Sequence, residues 1–393
     1  MPLTDVASHP QVARIGLGPT LADVKVVVHA GLHKSGTTVV QAGWREAYGA
    51  VGSAWYPSDK RRPMPGHHYL VWPLLEAFVE PAPDLVMARI LRAGKLGSLA
   101  ATIDEAANAR VETLVISSEE LDRIRPSDAG AFAEVLTGHD VTVLLTATRP
   151  MHRWSSGWQE LVKHGLADYP RESSSHILDF AGLRRGRLEE IARLLPASRR
   201  IVRLVRTTPP EPDLAAGLAV AVGLPDPDRL GPSPVRNASL GTDIEIVRRI
   251  NRADLAIGTK NDAGVDVLEE LRGAGVAYVE VPGLGDHYQP TPDFWAAAEA
   301  EAGFLAREAG SSGVEVLDPH DLLPTWLDPE PPQWYSDISR REAVVPALDD
   351  APRLEEQLWR VRQERSALRA QLRRAEQRRR SSGAGAAGEG SAL

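Results

Sequence analysis

Val24-Lys25-Val26-Val27-Val28-His29-Ala30-Gly31-Leu32-His33-Lys34-Ser35-Gly36-Thr37-Thr38 runs from a β-branched stretch, through a turn bounded by two glycines, into a helical pattern. Valine is restricted at χ1 and packs well on a pleated surface, so this run favours a strand. Its apolar character is continuous rather than alternating, which reads as a strand buried on both faces, the parallel-sheet kind. From Thr37 onward the large apolar residues fall at Val40, Trp44 and Tyr48, which predicts a helix over Thr37 to Tyr48. The chain therefore opens as strand, glycine-rich turn, helix.

The same alternation continues downstream. Thr113 to Ile116, Val141 to Ala147, Ile201 to Val205, Ala277 to Val281 and Val314 to Leu317 read as strands. Leu85 to Arg110, Asp128 to Leu136, Trp154 to His164, Gly186 to Leu195 and Asp243 to Ala256 read as helices. Alternating β and α segments predict an α/β fold, a three-layer sandwich around a mostly parallel sheet. The main domain is expected over 23–327, after a flexible leader at 1–22. Residues 328–352, rich in Pro and Asp, read as a linker. Residues 353–380 form an Arg-rich segment with apolar positions at Leu354, Leu358, Val361, Leu368, Leu372 and Ala375, broken at Arg365. That spacing fits a short coiled coil, with a homodimer or a partner engaged through 354–379, and equally fits one solvated helix. The Gly-, Ala- and Ser-rich stretch 381–393 is expected to be disordered.

Composition narrows the function. A content of 43% hydrophobic and 25% charged residues over 393 residues is that of a globular chain with a sizeable core. There is no cysteine, which excludes disulfides, thiolate metal sites and cysteine nucleophiles. No signal peptide or membrane span is read in the sequence, so a cytoplasmic location is expected. The net charge is −8, yet 353–380 alone carries ten Arg against four Glu. With one Glu in the tail, the first 352 residues carry −13. A body that acidic argues against nucleic acid as the main partner, and an anionic ligand must be held by a local cluster of donors.

The turn after the first strand is such a cluster. Its position supplies unpaired backbone N–H groups and the positive end of a helix dipole. Gly31 and Gly36 let the backbone approach an anion, Lys34 adds a point charge, and Thr37 and Thr38 place hydroxyls in the first helical turn. The glycine spacing equals that of the nucleotide-hydrolase loop G-x-x-x-x-G-K-[ST], but Thr37 stands where the lysine belongs and the lysine sits inside the loop. A lysine so placed suits the bridging oxygen of a phosphosulfate better than a γ-phosphate.

His29-Ala30-Gly31-Leu32-His33-Lys34-Ser35-Gly36-Thr37-Thr38 resembles the 5′-phosphosulfate loop of sulfotransferases that use 3′-phosphoadenosine 5′-phosphosulfate (PAPS), in particular a bacterial branch with an H-x-G-x-x-K-[ST]-G-T-T pattern. The resemblance spans roughly residues 24–325. It implies a P-loop-like sulfotransferase fold, PAPS as co-substrate, no metal, and transfer of a sulfuryl group to a hydroxyl or amine of a small-molecule or carbohydrate acceptor. It implies donor contacts from Gly31, His33, Lys34, Ser35, Gly36, Thr37 and Thr38. It also implies a 3′-phosphate site from Arg149, after the strand 141–147, and Ser156, with Ser155 as the alternative register. Arg149 offers a planar fork matched to phosphate oxygens. The family's later R-K-G-x-x-G loop is missing; Arg236, in Arg236-Asn237-Ala238-Ser239-Leu240-Gly241, is either its substitute or part of a helix-capping loop.

Within that resemblance Lys34 is catalytic, stabilising charge on the leaving phosphate oxygen. The general base is expected to be His68, with Glu119 as the other candidate. His67, His29 and His33 lie near in sequence, and His29 reads as a packed residue at the strand end. Trp55, Tyr56, Tyr69, Trp72, Trp154 and Trp158 are candidates either for a cleft wall or for core. Two rival readings stand: a P-loop kinase or nucleotide-binding protein, and an inactive sulfotransferase-like scaffold.

Overall fold

The structure, a computed structural model, describes residues 24–58, 65–75, 97–206, 211–232, 244–245, 247–248, 278–281, 285–309, 313–317, 322–330, 335 and 343–346. Arg236, the expected 1–22 leader, the Arg-rich segment 353–380 and the tail 381–393 lie outside the described residues.

The core is a six-stranded sheet of β1 (Lys25–His29), β2 (Ala54–Trp55), β3 (Thr113–Ser117), β4 (Asp140–Ala147), β5 (Arg199–Leu204) and β7 (Glu315–Leu317), in the order β2-β3-β1-β4-β5-β7. Every pairing in it is parallel, so the chain is α/β with an all-parallel sheet of the Rossmann or P-loop kind. Alternate residues of each strand feed opposite faces. Val26 and Val28 of β1, with Val143 and Leu145 of β4, join one buried cluster, while Val27 and Leu144 join the other. This is why the valine run shows no apolar–polar alternation: neither face meets water.

Helices supply both covers. On the Val27 side pack α1 (Thr37–Tyr48), through Val40 and Trp44, and α8 (Leu214–Val222). On the other side pack α3 (Leu99–Asn108), α4 (Ala129–Leu136), α7 (Arg187–Leu194) and α9 (Pro292–Glu308). The remaining described helices are α2 (His68–Val71), α5 (Pro150–Lys163) and α6 (Ser174–Phe180).

Local chemistry explains several boundaries. α3 starts where the Ser98 side chain accepts from the Ala101 N–H; of the expected helix Leu85 to Arg110, residues 85–96 lie outside the described residues. α5 begins at Pro150 rather than Trp154, because proline at the first helical position arrives with its φ already set and needs no N–H partner. α8, Leu-Ala-Ala-Gly-Leu-Ala-Val-Ala-Val, was not expected: it has almost no polar face to mark a helical period. It stops at Gly223, which takes φ +71°, and Lys25 Nζ donates to the Val222 carbonyl at 2.8 Å.

Ala277 to Val281 departs from expectation. It forms β6 (Tyr278–Val281), but outside the main sheet, antiparallel to β8 (Ala343–Pro346). Period-2 patterning marks extended backbone without naming its partner. Part of the stretch read as a linker also packs inward: Tyr335 is buried, donating to the Tyr288 carbonyl at 2.7 Å and accepting from Trp154 Nε1 at 3.1 Å.

The topology locates the site. β1 lies between β3 and β4, and the chain leaves β1 first toward the β2 edge and later toward the β5 edge. Such a switch point opens a crevice at the carboxyl ends of the strands. Three segments meet there: 30–36 after β1, 118–123 after β3, and Thr148-Arg149 after β4.

Candidate functional site

The loop after β1 is anchored to its neighbours by backbone. Ala30 N donates to Leu144 O at 2.8 Å, Leu32 N to Thr146 O at 3.0 Å, and Ser118 N to His29 O at 3.0 Å. Side chains add a second seam. Ser35 Oγ donates to Leu32 O at 2.5 Å and is hydrogen-bonded to Thr146 Oγ1 at 3.0 Å. Thr146 Oγ1 also meets His29 Nε2 at 3.1 Å, and His29 Nδ1 meets Ser117 Oγ at 2.8 Å. His29 is fully buried and burial pushes its pKa down to about 4, so it is a neutral strut with both nitrogens engaged. Ser35, expected to touch the donor, is likewise spent inside the protein through its hydroxyl.

Two left-handed residues bend the loop, Lys34 at φ +67° and Gly36 at φ +82°. The second suits glycine; the first strains a residue with a Cβ by about 1–2 kcal/mol. Past Gly36 the chain enters α1, whose N-terminus carries no side-chain cap. Among the described residues, no protein oxygen accepts the N–H groups of Gly36, Thr37 or Thr38. These donors and the positive helix end have the arrangement of a cradle that can receive an anion, with half-buried Thr38 beside it.

Charge is concentrated around the cradle. Lys34 Nζ lies 3.1 Å from Glu160 Oε2 of α5 and 5.8 Å from the Phe180 ring centroid. Glu160 is held well below the usual carboxylate range, by its hydrogen bond from His164 and then by Lys34 and Lys163, against the effect of burial. Thr37 Oγ1 donates to Glu119 Oε2 at 2.6 Å. Burial opposes charge on Glu119, but His33, His68, the Thr37 hydroxyl and Lys34 together hold it below its ordinary value. Glu119 is thus an ionised carboxylate at neutral pH.

His33 is buried and turned toward Asp122. Its N–H donates to Asp122 Oδ2 at 3.1 Å and its Nδ1 lies 2.5 Å from the same oxygen. Burial disfavours the imidazolium, but Asp122, with Glu119 and Glu120 behind it, pushes the pKa up to about 9. The sign follows. With a folded value near 9 against 6.5 unfolded, the pair's contribution is complete below pH 6.5 and is lost as pH rises through about 9. That difference corresponds to up to about 3 kcal/mol. Urea unfolding of wild type and Asp122→Asn is expected to show a wide gap in midpoint at pH 6 and a narrow one at pH 10; a gap independent of pH would contradict the charged pair.

The two adjacent histidines divide their work. His67 Nδ1 accepts from the Ser117 N–H at 2.9 Å and its Nε2 donates to Pro57 O at 2.7 Å. Burial pushes its pKa down to about 3, so it is a neutral clasp holding 65–68 on the end of β3. His68 is the one directed to the site: Nδ1 is 2.9 Å from Ser118 Oγ, the ring stacks on Trp72, and its field reaches Glu119. Gln41, one turn after Thr37, is buried, and its Nε2 has no partner among the described residues. A Cβ on Gly66 would stand 2.7 Å from His68 Nε2 and 2.9 Å from Gln41 Nε2, which places the two groups side by side.

Arg149 caps α5. Its Nη1 donates to Asp328 Oδ2 at 3.1 Å and its Nη2 to His152 Nε2 at 2.9 Å. Burial and the neighbouring guanidinium push the His152 pKa down to about 4, leaving its ring nitrogen an acceptor. Ser155 Oγ is spent on the His152 carbonyl at 3.1 Å, whereas Ser156 is half-buried on the helix face that carries Glu160 one turn later. Of the two registers open in sequence, Ser156 keeps the hydroxyl available.

The structure therefore brings together Gly31, His33, Lys34, Ser35, Gly36, Thr37, Thr38, His68 and Glu119, with Arg149 and Ser156 on the adjoining strand end and helix. Asp122, Thr146, Glu160 and Gln41 escaped the sequence reading. Glu160 alone left a signal, standing four residues after Ser156 on one helix face. Trp55, Tyr56, Trp72, Trp154 and Trp158 are all buried and serve as core rather than cleft wall. No group of three metal-ligating side chains occurs among the described residues, and no described helix is long and apolar enough to cross a membrane. No family model, no curated protein and no solved structure matches this chain.

Proposed function

We propose that this chain is a sulfotransferase that moves a sulfuryl group from PAPS to a hydroxyl or amine of an acceptor. One observation carries the reading: Lys34 stands on a left-handed turn directly ahead of the uncapped N-terminus of α1, at the switch point of a parallel sheet. That arrangement holds a compact anion on backbone donors and sets a cation beside it without a metal ligand cluster. Arg149 and Ser156, at the end of the next strand, suit a second phosphate; Arg149 and Lys34 would then exchange their carboxylate partners, Asp328 and Glu160, for ligand oxygens.

In this scheme the acceptor oxygen or nitrogen attacks sulfur in line as the bond from sulfur to the phosphate oxygen breaks. Negative charge gathers on that oxygen, where Lys34 and the loop N–H groups meet it; such preorganised donors are each worth about 2.7–4 kcal/mol elsewhere. The acceptor proton passes to His68 or Glu119. Glu119 is already ionised, the state a base requires, while His68 is oriented by Ser118. Adenosine 3′,5′-bisphosphate is the leaving product.

A second reading has one observation behind it. The Thr37 hydroxyl on Glu119 joins a loop hydroxyl to a carboxylate beyond the neighbouring strand, as a magnesium-dependent nucleotide site would. Calorimetric titration separates the two. Adenosine 3′,5′-bisphosphate is expected to bind wild type more tightly than ADP or ATP. Lys34→Ala and Arg149→Ala should each lose about 1.5–3 kcal/mol, roughly 10- to 150-fold. Tighter, magnesium-dependent ATP binding with no preference for a 3′-phosphate would defeat the sulfotransferase reading.

A further inference from the structure

A cleft of about 330 Å³, within the size range of small-molecule sites, opens between the segment 122–125, the end of α5 and the stretch 176–187. Phe180 and Leu161 give it an apolar floor, and Arg123, Arg125, Arg184 and Arg187 stand around it. The floor touches the donor loop: the Phe180 ring lies 4.9 Å from the His33 ring and 5.8 Å from Lys34 Nζ. Leu161 follows Glu160, the partner of Lys34. Phe180 thereby links the cleft to the cation that would meet the phosphosulfate, while His33 and Lys34 do not themselves line it.

We infer that this cleft is the acceptor site and that it selects an acceptor bearing an anionic group, a carboxylate, phosphate or sulfate, beside a ring. The inference rests on the sulfotransferase reading for the word acceptor, and on the cleft alone for the charge. Four arginines gather here although the first 352 residues carry −13, so the positive charge is local rather than a general property of the surface. Three of the four have carboxylate partners, Arg123 with Glu120 at 3.2 Å, Arg184 with Asp179 and Arg187 with Glu190, so the charge open to a ligand depends on which pairs can exchange. Asp122 is engaged by His33, and Asp179 pairs with Arg184 in a solvent-exposed contact, side chains 62% and 57% exposed, of little net worth and easily exchanged. Arg125 is exposed, and among the described residues its guanidinium pairs with no carboxylate. Arg187 is held rigid, donating to the Asp122 carbonyl and pairing with Glu190. Arg187 thus builds the wall, Arg125 is open to an anion, and Arg184 can reach one by giving up its exposed pair with Asp179. Gly182, at φ +61°, lets the chain turn beneath them; a Cβ there would stand 3.3 Å from Leu32 and 3.6 Å from Asp122 Oδ2.

The test compares two probes that differ in one carboxylate, 4-nitrophenyl β-D-glucuronide and 4-nitrophenyl β-D-glucoside. Each is titrated into the full chain with and without saturating adenosine 3′,5′-bisphosphate. The glucuronide is expected to bind about tenfold or more tightly than the glucoside, as a charged partner adds. Arg125→Ala/Arg184→Ala, both on the surface, should erase that preference while leaving bisphosphate binding unchanged. Equal binding of the two probes, no binding of the glucuronide, or a preference that survives the double variant overturns the assignment. The bisphosphate arm keeps the readings apart. Failure of the bisphosphate to bind, with the arginine-dependent preference intact, removes the sulfotransferase reading and supports the anion cleft. Bisphosphate binding without the preference removes the cleft proposal only.

Discussion

Gly31→Ala is expected to cost the chain about 10- to 150-fold in affinity for adenosine 3′,5′-bisphosphate, the roughly 1.5–3 kcal/mol of a lost hydrogen bond to a charged group. An added Cβ would lie 2.1 Å from Thr37 Cγ2, 2.5 Å from Thr146 Oγ1 and 3.3 Å from His29 Nε2. None of these atoms can give way cheaply. Thr146 Oγ1 is bonded to both His29 and Ser35, and Thr37 is tied to Glu119. The loop must instead lift from β4, which breaks the Leu32 N–H bond to Thr146 and carries Lys34 with it. Overpacking of this kind also costs about 1–3 kcal/mol of stability. Gly130→Ala is the control. Nothing lies within 4 Å of a Cβ at that position in α4, so binding should be unchanged and stability equal or slightly higher. Calorimetry with urea unfolding on both variants checks the pair. Wild-type affinity in Gly31→Ala would show that the loop does not hold the nucleotide.

Arg153→Ala is expected to destabilise the fold by about 3–5 kcal/mol, because it strands a buried carboxylate. Arg153 is fully buried in α5, and its Nη2 contacts both Glu301 oxygens, at 2.5 and 2.6 Å. The guanidinium also donates to the carbonyls of Thr148, Ala181 and Gly182, while Trp326 Nε1 donates to Glu301 at 3.0 Å. One side chain thereby joins the end of β4, beside Arg149, to the turn under the proposed acceptor cleft and to α9. Arg153→Met combined with Glu301→Leu removes both charges and should recover much of the loss, though not all, since three carbonyls and the Trp326 indole stay unpartnered. Urea midpoints of the single and double variants measure it. A single variant as stable as wild type would mean that water reaches Glu301.

Much of this architecture is legible because it is local. Four valines among residues 24–28 cannot alternate between core and solvent, so they announce a strand covered on both faces. Glycines at 31 and 36 bracket a turn, and Val40, Trp44 and Tyr48 repeat at helical spacing. Chemistry-bearing residues within that segment, from Gly31 to Thr38, can be named from the same local signal. The all-apolar α8 could not, since it has no polar face to set a period, and β6 could be read as extended but not assigned its partner.

Side chains that meet only across strands leave no such trace. Asp122 reaches His33 over 89 residues, Thr146 reaches Ser35 over 111, and Glu301 reaches Arg153 over 148. The first two contacts are set by strand order and register, which bring the ends of β1, β3 and β4 together, and the third by α9 lying against α5; none of these follows from periodicity. For the same reason His67 and His68, adjacent and chemically identical in the chain, are separated only by the fold. One is turned to Ser117 and Pro57 and kept neutral, while the other is turned to Ser118 and the field of Glu119. The strand, the loop and its lysine are written in neighbouring residues because backbone preference acts over a few bonds. The charge state of His33, the pairing of Lys34 with Glu160 and the arginine cleft beside Phe180 belong to the tertiary structure, because burial and Coulomb fields depend on distances that only packing sets.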